Sequence, residues 1–129
     1  MNELGNILII DDQKSDAEEF ERVLRAEGYK VETAETADAG LALCKRENFD
    51  VVLTGLHLSG SDESRKEGLH IITQLQAAKP FLAVILMTAK PTTQTTIEAM
   101  KLGAYDSIIK GRIDWNAFTT LIHQAVEDT

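Results

Sequence analysis

Apolar runs alternate with amphipathic segments along the whole chain, and this alternation constrains the fold more than any other feature. Asn6 to Ile10 (NILII) is a continuous apolar run, the pattern of a strand buried on both faces. Ser15 and Glu18 then form a capping-box pattern ahead of Ala17, Phe20, Val23 and Leu24 at helical spacing, and Gly28 supplies the stop. A short strand is predicted from Tyr29 to Thr33, followed by a helix capped by Thr36 with Ala37, Gly40, Leu41 and Cys44 on its inner stripe. Asp50 to Thr54 (DVVLT) reads as the third strand, and a polar loop is expected from about His57 to Glu67. The third helix carries Leu69, Ile72 and Leu75 inward and closes before Pro80. Phe81 to Met87 (FLAVILM) is the most apolar strand, and the helix after Pro91 runs to Gly103 with Ile97 and Met100 expected to face the core. Asp106 to Ile109 is the last strand; Asp114 caps a final helix with Trp115, Phe118, Leu121, Ile122 and Ala125 on one face.

A strand–helix unit repeated in this way predicts an α/β chain with a parallel five-stranded sheet and helices on both faces. The expected strand order is 2-1-3-4-5, that of a doubly wound, flavodoxin-like (βα)5 three-layer sandwich. With 129 residues the chain is expected to be a single domain over 1–129; an eight-unit barrel needs about 250 residues. Acids outnumber bases by 21 to 13, a net charge of −8, which argues against a nucleic-acid surface and against docking on anionic membranes. No apolar run approaches the roughly 20 residues of a membrane span, and no signal-peptide pattern opens the sequence. Cys44 is the single cysteine, so no internal disulfide forms, and a reducing cytoplasm is the expected compartment.

In an open parallel sheet, ligands bind beyond the carboxyl ends of the strands, where the strand order reverses. The residues that follow the strands are Asp11-Asp12, Gly55, Thr88-Ala89 and Lys110. Two carboxylates suit magnesium, which takes one or two carboxylates, waters and phosphate oxygens. A hydroxyl and an ammonium beside them suit the remaining oxygens of a phosphoryl group.

The spaced pieces ILIIDD, DVVLTGLHLSG, ILMTA and EAMKLGAYDSIIK, in this order, resemble the response-regulator receiver domains of two-component phosphorelay signalling (the CheY-like superfamily), over nearly the whole chain. The resemblance implies a signalling module rather than an enzyme. A sensor histidine kinase or a downstream effector would be its protein partner, and a face of helix four, strand five and helix five its docking or homodimer surface. It assigns Asp11 and Asp12 to magnesium, with the backbone carbonyl of His57 as the main-chain ligand. Thr88, Ala89 and Lys110 match the phosphate-contact positions, and Ser107 the aromatic switch position.

The phosphoacceptor aspartate of that family would stand at position 55, where this chain has glycine. Gly55 has no side chain and forms no acyl phosphate. Ser107 replaces the switch aromatic, Gly111 stands where a proline usually follows the lysine, and the stretch from Ser59 to Glu67 is longer than usual. Tyr105 is expected to share the face of Ser107 by strand alternation. Asp62 and Glu63 lie seven and eight residues after Gly55 on the polar loop, and nothing in the sequence fixes them over the cleft as substitutes. The expected function is therefore a degenerate receiver acting by phosphorylation-independent protein contacts, with weak or absent magnesium binding. A conventional receiver altered by engineering at position 55 is one alternative; a small-anion-binding module using the vacated pocket is another. Plainer roles also fit: Asp11 and Asp12 favouring the amino end of the first helix, Lys110 pairing with one of them, and Cys44 packing inertly.

Overall fold

The computed structural model describes residues 4–55, 62–89 and 93–129, with the side chains of 62–67 outside the description. Its elements in chain order are β1 (Asn6–Ile10), α1 (Lys14–Ala26), β2 (Lys30–Ala34), α2 (Ala37–Arg46), β3 (Val51–Thr54), α3 (Asp62–Ala78), β4 (Ala83–Thr88), α4 (Thr93–Lys101), β5 (Asp106–Ile109) and α5 (Trp115–Asp128). The strands form one parallel sheet in the order β2-β1-β3-β4-β5, as the alternation predicts.

The central strands read as unbroken apolar runs because successive residues enter two different cores. Ile7, Ile9, Val51, Leu53, Ile85 and Met87 pack with Phe20 and Leu24 of α1 and Phe118 and Ile122 of α5. Leu8, Ile10, Val52, Val84 and Leu86 face the other way, onto Cys44, Leu69, Ile72, Leu75 and Ala99. The close approach of α2 to β1 depends on Gly40, since a Cβ there would stand 2.4 Å from Cδ1 of Ile10.

Local signals held at several helix ends. The Thr36 hydroxyl accepts from the Ala39 N–H, and Asp114 Oδ1 accepts from Asn116 and Ala117. Gly28 adopts φ 101°, the left-handed conformation that ends α1. Others did not. Ser15 lies inside α1 and is exposed, and the cap position falls to Gln13, which makes no side-chain capping bond. β4 begins at Ala83, not Phe81; Phe81 is 87% exposed in the preceding turn, because the apolar run outlasts the sheet. α3 begins at Asp62, so Asp62 and Glu63 belong to its first turn rather than to a loop.

The largest revision concerns α4. Its buried positions are Thr95 and Ala99, one helical turn apart, while Ile97 and Met100 are 48% and 45% exposed. Small side chains occupy the seam against the sheet, and the large apolar ones point outward. Tyr105 also departs from expectation. It precedes β5, packs with the α1–α5 core, and donates its hydroxyl to Asp128 Oδ2 at 2.6 Å, so it does not share the face of Ser107. At the other sheet edge Tyr29, just before β2, hydrogen bonds through its hydroxyl to Nδ1 of His123 on α5. Burial, reinforced by the nearby Glu27 carboxylate, pushes the Tyr29 phenol up to about 12.

Candidate functional site

Parallel pairing continues past the strand ends and sets the cleft residues side by side. Ile10 is in register with Thr54, and the next residues keep that pairing: the Gly55 N–H donates to Ile10 O at 2.7 Å, and the Asp11 N–H to Ala34 O at 2.9 Å. Asp11 therefore lies beside Gly55. On the far side the Lys110 N–H donates to Thr88 O at 2.8 Å, which carries β5 beyond Ile109 and brings Lys110 to the same cleft.

Asp11 is fully buried and divides its two oxygens between two partners. Oδ1 accepts from the Gln13 N–H at 2.9 Å, at the amino end of α1. Oδ2 lies 2.7 Å from Nζ of Lys110, whose side chain is only 10% exposed. Both plainer readings thus hold at once: the carboxylate serves the helix start and pairs with the lysine. Burial raises the Asp11 pKa above its ordinary value, and the hydrogen bonds from Lys110 and Gln13 only partly oppose it.

Lys110 has a second carboxylate partner that the sequence reading did not anticipate: Asp16 Oδ2, in the first turn of α1, stands 3.1 Å from Nζ. The available signal was an acid at a helix amino terminus one turn beyond the Asp11-Asp12 pair.

Gly55 is buried, and the room that its missing side chain suggests is not open. A Cβ at position 55 would stand 2.6 Å from Asp11 Oδ2, 2.9 Å from its Cγ and 3.1 Å from Cε of Lys110. The Asp11–Lys110 ion pair stands over the backbone where an aspartate would project. Thr54, one residue earlier, is wholly buried, and among the described residues its Oγ1 has no hydrogen-bond partner.

Asp12 follows Asp11 and is exposed; Thr88 is buried at the end of β4, and Ala89 after it is exposed. Ser107, half-buried, donates its N–H to Asp106 Oδ1 at 2.7 Å. Its register partner is Leu86, which places it on the α3–α4 side of the sheet. His57 lies outside the described residues.

Magnesium needs oxygens at about 2.0–2.1 Å in near-octahedral array. Here one of the two acids has an oxygen engaged by an ammonium, and position 55 contributes no carboxylate. Among the described residues no group of three or more histidine, cysteine, aspartate or glutamate side chains forms a metal-type cluster.

A parallel sheet in this order with an acid pair, a threonine and a lysine at its carboxyl edge defines a receiver-type cleft. The family model of the response regulator receiver domain matches residues 7–122, and the chain belongs to that family. It is 35% identical over 106 residues to AlgB of Pseudomonas aeruginosa, an alginate biosynthesis transcriptional regulatory protein, covering 82% of this chain and 22% of that one. It is 29% identical over 124 residues to the transcriptional regulatory protein ZraR of Escherichia coli, covering 96% of this chain and 27% of the relative. The chain thus spans about a quarter of the length of these curated relatives.

Among solved structures, a response regulator receiver domain protein from Methanospirillum hungatei superposes with a TM-score of 0.83 at 24% identity, over 96% of this chain and 94% of that one. A Burkholderia pseudomallei response regulator, determined with a phosphorylated aspartic acid, calcium and citrate, gives 0.78 at 28% identity over 95% of this chain and 69% of the other. The protein is a receiver domain of the two-component response-regulator type, a class of signalling module that works with sensor kinases and effector domains. Among the described residues no helix is long and apolar enough to cross a membrane.

Proposed function

We propose that this receiver acts through protein–protein contacts without an aspartyl phosphate, and that its cytoplasmic partner is a sensor kinase, an effector or a second copy. The observation that carries this reading is Gly55 at the phosphoacceptor position, covered by the Asp11–Lys110 pair. An acyl phosphate needs a carboxylate there, and the Asp11 carboxylate beside it already serves a helix start and an ammonium. Magnesium binding on this reading is weak, in the millimolar range or worse.

The contact surface is α4–β5–α5. Ile97, Met100 and Leu102 at α4 and Ile109 at the end of β5 are large apolar residues left between 39% and 48% exposed, an arrangement that favours burial against a partner. Incubation with acetyl phosphate and magnesium tests the first half: no hydroxylamine-labile phosphoryl group is expected on the protein, and a stoichiometric one would overturn the reading. The gene sequence at codon 55 separates it from an engineered change. For the second half, Ile97→Asp combined with Met100→Asp is expected to weaken the partner contact at least tenfold while leaving the thermal midpoint unchanged.

A further inference from the structure

Lys110 holds its ammonium between two carboxylates that come from different elements. Asp11 follows β1 and is wholly buried; Asp16 belongs to α1 and is 42% exposed, closing the pair from the solvent side. The lysine stem runs past Gly55 so closely that its Cε would touch a Cβ there. A side chain at position 55 would crowd this path. The missing negative charge of an aspartate is offset by Asp16, which supplies the second carboxylate to the ammonium.

We infer that Asp16 is a positioning residue that locks Lys110 into the cleft, so that the protein's own ammonium is the resident cation and divalent ions are kept from Asp11. A dication approaching Asp11 Oδ2 meets an ammonium already 2.7 Å from that oxygen, and the like charges repel. The carboxylate of Asp16 draws the ammonium to one side of the pair and opposes its swing into solvent. This inference stands on the cleft alone and is independent of which surface a partner uses.

Two measurements on the intact chain test it. The first is acylation of lysines by a water-soluble ester, followed residue by residue in the mass spectrometer. Lys110 is expected to react at least tenfold more slowly than the exposed Lys45 and Lys101. Asp16→Asn is expected to raise the Lys110 rate at least threefold and leave the other two unchanged. Reaction of Lys110 at the rate of Lys45, or an unchanged rate in the Asp16 variant, overturns the lock. The second is titration with manganese alone, followed by water-proton relaxation. Lys110→Ala is expected to bind manganese at least tenfold more tightly than the parent protein, and Lys110→Met, which keeps the apolar stem, serves if the alanine variant does not fold. Equal affinity in the parent and in the folded variant overturns the exclusion of divalent ions. Acetyl phosphate labelling is a separate readout, so failure here is distinguishable from failure of the phosphorylation-independent reading.

Discussion

Rebuilding a side chain at position 55 is the most direct probe of the closed cleft, and two substitutions separate its steric and electrostatic parts. Gly55→Ala adds only a Cβ. Gly55 is outside the left-handed region, so on backbone grounds alone this change stabilises by about 0.4–1 kcal/mol through the unfolded chain. Against that, the Cβ arrives 2.6 Å from Asp11 Oδ2 and 2.9 Å from its Cγ. The carboxylate is held on both sides, by the Gln13 N–H and by Lys110, and moving it breaks one charged hydrogen bond worth about 1.5–3 kcal/mol. The net expectation is a loss of about 1–2 kcal/mol. Gly55→Asp makes the same intrusion and adds a charge. At about 5 Å and an effective dielectric near 20, its repulsion from Asp11 is about 3 kcal/mol, offset by a comparable attraction to Lys110. A loss of about 2 kcal/mol at low salt therefore remains, and magnesium at about 100 times its Kd returns about 2.7 kcal/mol to this variant alone. Urea denaturation followed by Trp115 fluorescence reads both, since the indole packs against Phe20 and Phe118. If Gly55→Ala is as stable as the parent protein, the pair does not fill the space above Gly55 and the reasoning fails.

The buried Thr54 hydroxyl lacks a partner among the described residues, so Thr54→Val, of equal shape, is expected to stabilise by about 1 kcal/mol in the same assay; a loss would reveal a hidden acceptor. Gly40→Ala is expected to cost about 1–3 kcal/mol despite better helix propensity, because the methyl meets Ile10 at 2.4 Å; an unchanged thermal midpoint would show that α2 shifts freely. The pH profile carries a sign set by Asp11. Its folded pKa lies above the ordinary 3.8, so the native state binds the proton more tightly, and this contribution to stability is fully present below about 3.8 and lost as pH rises through the folded value. Glu32, raised by burial and by Glu47 beside it, acts in the same sense. Asp11→Asn is thus expected to show a less negative slope of stability against pH above 4, and a steeper one would contradict the assignment.

The architecture was legible because central strands buried on both faces leave unbroken apolar runs, and because Thr36, Gly28 and Asp114 mark helix ends chemically. The cleft was legible as far as strand ends determine it: Asp11, Gly55, Thr88 and Lys110 follow from the topology. Asp16 was not, since its partner is 94 residues away in the chain and only the reach of the Lys110 side chain from the end of β5 to the start of α1 brings them together. α4 misled for a different reason. A stripe read from large apolar residues assumes that those face inward, whereas here Thr95 and Ala99 are buried and Ile97 and Met100 are left outside. Phe81 shows the same limit, an apolar residue continuing a strand pattern past the last sheet pairing.

The two phenolic hydrogen bonds to α5 have a mechanical consequence. Tyr29 precedes one edge strand and Tyr105 the other, and they grip His123 and Asp128 in the last two turns of the helix. α5 is thereby moored at the amino-end rim of the sheet, while its own amino end, capped by Asp114, follows closely on Lys110. Fourteen residues span about 21 Å, so a tilt of about 5° about the moored end would displace the amino end by about 2 Å and disturb the Phe20–Trp115–Phe118 packing there. A shift of α5 about its moored end would therefore be felt within a few residues at Lys110.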